Sequence, residues 1–221
     1  MREIVLDTET TGLNCLGGDR IIEIGCVELT NHLPTGRVYH QYVNPEHEVA
    51  EGAFRVHGLS NEFLSKFPVF SEIADSFLDF IGDAPLVIHN ADFDMGFLNS
   101  ELARLQRIPL EDARAVDTVR MARTKFPGAQ ASLDALCRRF QVDNSDRQLH
   151  GALKDADLLA QVYLELIGGR QPGLALAGTG RRIVVAGQRQ VRPPRPHAAS
   201  ATELEAHAAF IAKLKNAIWA T

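Results

Sequence analysis

Two carboxylates, Asp7 and Glu9, stand two residues apart where an apolar run ends, in Ile4-Val5-Leu6-Asp7-Thr8-Glu9-Thr10-Thr11-Gly12. Side chains alternate faces along a strand, so this spacing aims both acids to one side. Ionised carboxylates crowded in this way repel each other unless a cation lies between them, and a hard divalent metal is the natural partner. Any D-x-E at a strand end could equally be two solvated acids, so the pair gains meaning from what joins it. Asp94 lies along the apolar stripe of a helix that contains Phe93, Phe97, Leu98, Leu102 and Leu105. Asp155 shares the face of Leu159, Val162 and Leu166 on a later helix, whereas Asp157 falls on its solvent side. An acid on a buried stripe needs a partner. His150 stands at the entrance of that later helix with Gly151 after it. Imidazole changes charge near neutral pH and suits proton transfer in a cleft, although a histidine ahead of a helix is also a common cap or surface residue.

The elements that must position these residues alternate between strand and helix periods. Residues 20–29 and 37–43 follow the first strand as a β-meander, with Pro34 and Gly36 in the turn region between them. Residues 45–58 form an irregular connection. Phe70, Ile73, Phe77 and Phe80 mark a helix stopping at Gly82, and residues 86–88 form another buried strand leading into His89-Asn90-Ala91-Asp92-Phe93-Asp94. Residues 115–118 suit a short strand and 132–140 a helix. This mixed order indicates an α/β domain.

Length and composition bound the rest. A chain of 221 residues, 45% hydrophobic, buries one sizeable core and a small appendage. Nothing at the start resembles a signal peptide, and no apolar run approaches the ~20 residues that span a bilayer, so a cytoplasmic protein without a membrane partner is expected. Cys15, Cys26 and Cys137 lack metal-ligand spacing and are assigned no chemistry. Charge divides the chain: residues 1–166 hold 15 Lys and Arg against 26 Asp and Glu, and residues 167–221 hold 8 against 2. The acidic part binds polyanions poorly unless metal neutralises its site, while the basic tail favours nucleic acid or an acidic protein surface.

Taken together, IVLDTETTGL, HNADFDMGFL and LHGALKDA, with VHGL at 56–59 and SLDALCRRF at 132–140, resemble the DEDDh branch of the DnaQ-like 3′-to-5′ exonucleases. The likeness spans roughly residues 3–167. It implies a ribonuclease-H-like exonuclease fold, a mixed central sheet flanked by helices, over residues 1–167. It implies that Asp7, Glu9, Asp94 and Asp155 hold two divalent ions, Mg²⁺ or Mn²⁺, and that His150 is the general base in releasing nucleoside 5′-monophosphates. The family's acid in the second motif follows Phe, so the role passes to Asp94, and Asp92 is left without one. Thr8, Thr10, Thr11 and His57 become candidates for contacts to the terminal nucleotide, with turn chemistry and capping as the plainer reading. The implied substrate is the 3′ end of single-stranded DNA, in proofreading for a bacterial replicative polymerase. The alternatives are an RNA-trimming exoribonuclease of the same fold and an inactive scaffold, against which the intact acidic set argues.

Beyond residue 167 the chain changes character. Residues 168–200 contain 6 Gly and 4 Pro, the composition of a flexible linker. Within it, Gln171-Pro172-Gly173-Leu174-Ala175-Leu176 resembles the Q-x-x-L-x-L motif by which bacterial replication proteins bind the sliding clamp. Residues 201–221 resume a helical pattern, with Thr202 and Glu205 as a capping box and Leu204, Ala208, Ile211, Leu214 and Ile218 along one face. This short helix lacks a core of its own, so it either packs back on the exonuclease domain or buries its face in a partner; the long linker favours a partner, the polymerase catalytic subunit.

Overall fold

The computed structural model describes residues 1–145, 149–169 and 198–214. Five strands form one mixed sheet in the order β3-β2-β1-β4-β5. β1 (Arg2–Thr10), β2 (Ile21–Thr30) and β3 (Leu33–Tyr42) are the antiparallel meander; β4 (Leu86–Ile88) and β5 (Ala115–Asp117) run parallel to β1. β1 is central and covered on both faces, which is why its sequence is nearly continuous in apolar residues. Ile4 and Leu6 face a core built with α3 (Phe70–Ile81) and α4 (Ala91–Arg104), where Phe77, Phe97 and Leu98 pack. Val5 faces the opposite core, with Leu136 of α6 (Leu133–Phe140) and Leu159 and Val162 of α7 (Ala152–Leu166). Asp7 and Glu9, in phase with Val5, follow that second face. This is the α/β ribonuclease-H-like arrangement that the motifs implied.

Three stretches differ from expectation. β3 begins at Leu33 and runs through Pro34 and Gly36, where a turn was expected. An edge strand tolerates proline because one side of its ladder is unpaired, and the β2–β3 register shifts here, between Val27 and Leu29. Within residues 45–58, expected to be irregular, lies the helix α1 (Glu51–His57), followed by α2 (Asn61–Leu64). Their sequences carry little apolar periodicity, and α1 has no side-chain cap. Between β5 and α6 lies α5 (Thr118–Lys125), capped by the Asp117 carboxylate, which accepts from the backbone of Val119 and Arg120.

Two features of the sheet open a cleft at the end of β1. Pairing with β4 stops at Leu6 and Ile88, while pairing with β2 continues to Thr10 and Ile21. Asp7 to Thr10 therefore project beyond their parallel neighbour, and α4 leaves β4 beside them. On the other face the start of α7 lies directly on β2: a methyl group on Gly25, the cross-strand neighbour of Asp7, would sit 2.2 Å from the Ala152 carbonyl carbon. Only glycine lets the helix approach this closely.

α8 (Ala201–Ile211) belongs to a second unit and is described by itself. Its capping box is Ser200 with Glu203, not Thr202 with Glu205 as expected; Ser200 holds the extended backbone of a cap, and Thr202 is already within the first turn. Leu204 and Leu214 are exposed and Ile211 half-buried. Gln171, Leu174, Leu176 and Ile218 lie outside the described residues. Cys15, Cys26 and Cys137 are not joined in disulfides. Among the described residues no helix is long and apolar enough to cross a membrane.

The Gly25 contact yields a direct expectation. Gly25→Ala forces α7 off the sheet and should cost about 1–3 kcal/mol, typical of overpacking. A urea unfolding midpoint equal to that of the parent would show that α7 does not rest there.

Candidate active site

The end of β1 carries functional groups on both of its faces. Asp7 and Glu9 point to the side of α7, whose first turn supplies Asp155, 3% exposed. Thr8 points the other way, to α4. Having no partner strand there, the Thr8 backbone N–H donates to Asp94 Oδ1 at 3.0 Å, and the Thr8 hydroxyl donates to the same oxygen at 2.7 Å. One carboxylate oxygen thus takes the place of a strand acceptor. Asp94 and Asp155 both occupy the first turns of their helices, where the helix dipole favours negative charge.

His150 is held by its backbone, which donates to the Val56 carbonyl at 3.1 Å and ties the entrance of α7 to α1. Its Nδ1 lies 3.3 Å from Asp155 Oδ2, and its side chain is half exposed. Asp7, Glu9, Asp94, His150 and Asp155 line one cleft, joined by Thr8, His89, Phe93, Ser132 and Asp134. Glu9, His150 and Asp155 each offer a ligand atom, all within 4.8 Å of one another. A concentration of carboxylate oxygens with one imidazole fits a hard divalent ion.

The remaining candidates separate. Thr10 and His57 line a more apolar pocket beside the cleft, which shares Thr8, Glu9 and Phe93 with it. The Thr10 hydroxyl donates to the Gly12 carbonyl at 2.6 Å. His57 is buried and its Nδ1 accepts from the Leu59 backbone at 3.0 Å. Burial, and then the nearby His150, hold His57 below the usual imidazole range. Thr11 is a correction: it is completely buried, donates to Asp19 and accepts from the Arg20 backbone, and so serves the turn without lining either pocket. Asp92 is exposed, whereas Asp94 faces inward. His89, Phe93, Ser132 and Asp134 had no site role in the sequence reading, although they belong to the HNADF and SLDAL stretches that carried the resemblance.

Residues 4–163 match the exonuclease family of the ribonuclease T type. The chain belongs to the exonuclease family. As a member it is a metal-dependent 3′-to-5′ exonuclease, and its relatives narrow the likeness further. The DNA polymerase III epsilon subunit of Rickettsia felis is 59% identical over 174 residues, covering 77% of this chain and 76% of that protein. The epsilon subunit of Escherichia coli K12 is 50% identical over 186 residues, covering 81% and 76%. Among solved structures, the nuclease domain of 3′hExo, a DEDDh family member bound to rAMP, superposes with a TM-score of 0.65 at 19% identity, covering 75% of this chain and 91% of that one. That last likeness concerns the exonuclease fold alone.

Asp94 supplies a measurable signature. Burial pushes its carboxyl up to about 7, against the pull of the two Thr8 hydrogen bonds. An unfolded aspartate titrates near ~3.9, so the stabilisation present below that value is lost as pH rises through the folded value. In the presence of chelator, the melting temperature should fall between about pH 4 and pH 7. Asp94→Asn, which cannot ionise, should flatten that fall. An unchanged slope in the variant would assign the ionisation to another group.

Proposed function

We propose that this protein is the proofreading subunit of a bacterial replicative DNA polymerase, removing 3′-terminal nucleotides from DNA in the cytoplasm as nucleoside 5′-monophosphates. The observation that carries the reading is the convergence of four carboxylates and His150 on one cleft at the end of β1, in a chain with epsilon subunits as relatives.

Asp7, Glu9, Asp94 and Asp155 would hold two divalent ions, Mg²⁺ or Mn²⁺, which when bound supply charge stabilisation at the phosphodiester and an activated water. The chain's own residues do the rest. His150 accepts the proton of the attacking water, and the Asp155 carboxylate, 3.3 Å from Nδ1, stabilises the imidazolium that forms. Thr8 fixes Asp94 through two hydrogen bonds, so this carboxylate keeps one orientation. The adjoining apolar pocket, with Leu13, Ala53, Val56, His57 and Phe93, would take the base face and sugar ring of the terminal nucleotide. Thr10 lies on its wall.

The tail supplies the partners. By its resemblance to a clamp-binding motif, the segment containing Gln171, Leu174 and Leu176 would insert two leucines into an apolar groove of the sliding clamp. The C-terminal helix, with Leu204, Ile211, Leu214 and Ile218, would dock on the polymerase alpha subunit. Two modest contacts joined by a flexible segment raise the local concentration of nuclease at the primer end.

Digestion of matched and mispaired DNA primers beside a single-stranded RNA of equal sequence, with and without Mg²⁺, tests the reading. Metal-dependent removal of the mispaired DNA end is expected, with His150→Ala roughly 10²- to 10⁴-fold slower at unchanged fold. Preference for RNA would replace proofreading by RNA trimming, and near-normal turnover of the variant with chemistry rate-limiting would remove the general-base role. For the tail, Gln171→Ala with Leu174→Ala should weaken clamp binding alone, and truncation after Ser200 should abolish polymerase binding alone. Affinities unchanged in isothermal titration would refute the corresponding contact.

A further inference from the structure

The catalytic cleft has a neighbour on each side. Toward α1 it shares Thr8, Glu9 and Phe93 with the apolar pocket. Toward α5 it shares His89 and Ser132 with a polar trough lined also by Asn90, Arg123 and Gln130. We propose, on the reading of this cleft as a 3′-exonuclease site, that the trough is the subsite for the next phosphate upstream of the scissile bond and that Arg123 is its main contact.

The chemistry of the two flanks sets the direction of the strand. A terminal nucleoside presents a base and a sugar, which suit the apolar side. The strand behind it presents an anionic phosphodiester at every step, which suits donors. Arg123, Asn90, Gln130 and Ser132 all carry donors, and the three last named are neutral. Residues 1–166 hold 26 acids against 15 basic side chains, so a polyanion is repelled over most of this surface. Several arginines of the domain are paired with acids: Arg2 with Glu28, Arg20 with Glu101, Arg37 with Glu28, Arg55 with Glu51 and Arg107 with Asp75. Arg123 is exposed on α5, and no acid pairs with it among the described residues. Guanidinium offers a planar fork matched to phosphate oxygens. A cation beside the cleft also offsets the carboxylates that a departing strand must pass.

An unphosphorylated dinucleotide contains only the scissile phosphate, whereas a trinucleotide adds the next one upstream. The parent protein should therefore cleave the trinucleotide with the higher kcat/KM. Arg123→Ala should lower kcat/KM about tenfold on the trinucleotide and longer strands, through KM, and leave the dinucleotide within about twofold. Arg123→Lys should recover part of the loss. On long strands the slope of log KM against log salt should fall by about 0.7, the loss of one phosphate contact on a single strand. Equal losses on dinucleotide and trinucleotide, or no loss on either, would overturn the subsite while leaving the exonuclease reading in place. A parent protein that cleaves neither substrate in Mg²⁺ would overturn the exonuclease reading, and the subsite with it.

Discussion

Like charges gathered in a partly buried cleft are the constraint to which the rest of this structure answers. Asp7, Glu9, Asp94 and Asp155 line a single space, and carboxylates brought together out of water destabilise a fold unless something opposes their charge. Several devices do so before any metal is considered. Both helix-borne acids sit in first turns, where unsatisfied backbone N–H groups attract negative charge. Asp94 receives two hydrogen bonds from Thr8 and Asp155 has His150 at hand. Burial adds its own cost at Asp94, whose carboxyl it pushes up to about 7.

Bringing α7 close enough is a matter of backbone approach, not of side-chain choice. Gly25 provides the missing volume, and the glycine lies opposite Asp7 itself, so the seat of the helix and the acid that it serves are adjacent. The second contact is the Val56 carbonyl, which receives the His150 backbone N–H and links the start of α7 to α1. A helix pinned at two points beside β1 presents Asp155 and His150 together.

Much of this was legible in the sequence because the signals were periodic. The two-residue spacing of Asp7 and Glu9, the apolar stripe holding Asp94 and the stripe holding Asp155 each specify a face, and three faces that meet define a site. The stripe also separated Asp155 from Asp157, and the family motif separated Asp94 from Asp92; the two acids set aside are both exposed. What escaped lacked a period. α1 and α2 are too short for a stripe, and β3 passes through Pro34 and Gly36 because edge pairing overrides local turn preference. The family resemblance made Thr8, Thr10 and Thr11 alike candidates for nucleotide contacts. Thr8 lines the cleft and also donates to a residue 86 positions away, while Thr11 is enclosed in its own turn. Long-range hydrogen bonds and burial in a loop leave no trace in spacing.

The division of the site between the first strand and the last helix of the sheet domain has a consequence for synthesis. Asp7 and Glu9 lie on the first strand of the sheet and pair early within the meander, whose strands are sequence neighbours and close with little loop entropy. His150 and Asp155 arrive some 140 residues later, after β4 and β5 have been laid down on the other side of β1. A nascent chain that has already formed its sheet therefore remains catalytically incomplete until α7 is released and settles over Gly25. Nuclease chemistry is withheld from an unfinished chain by topology alone.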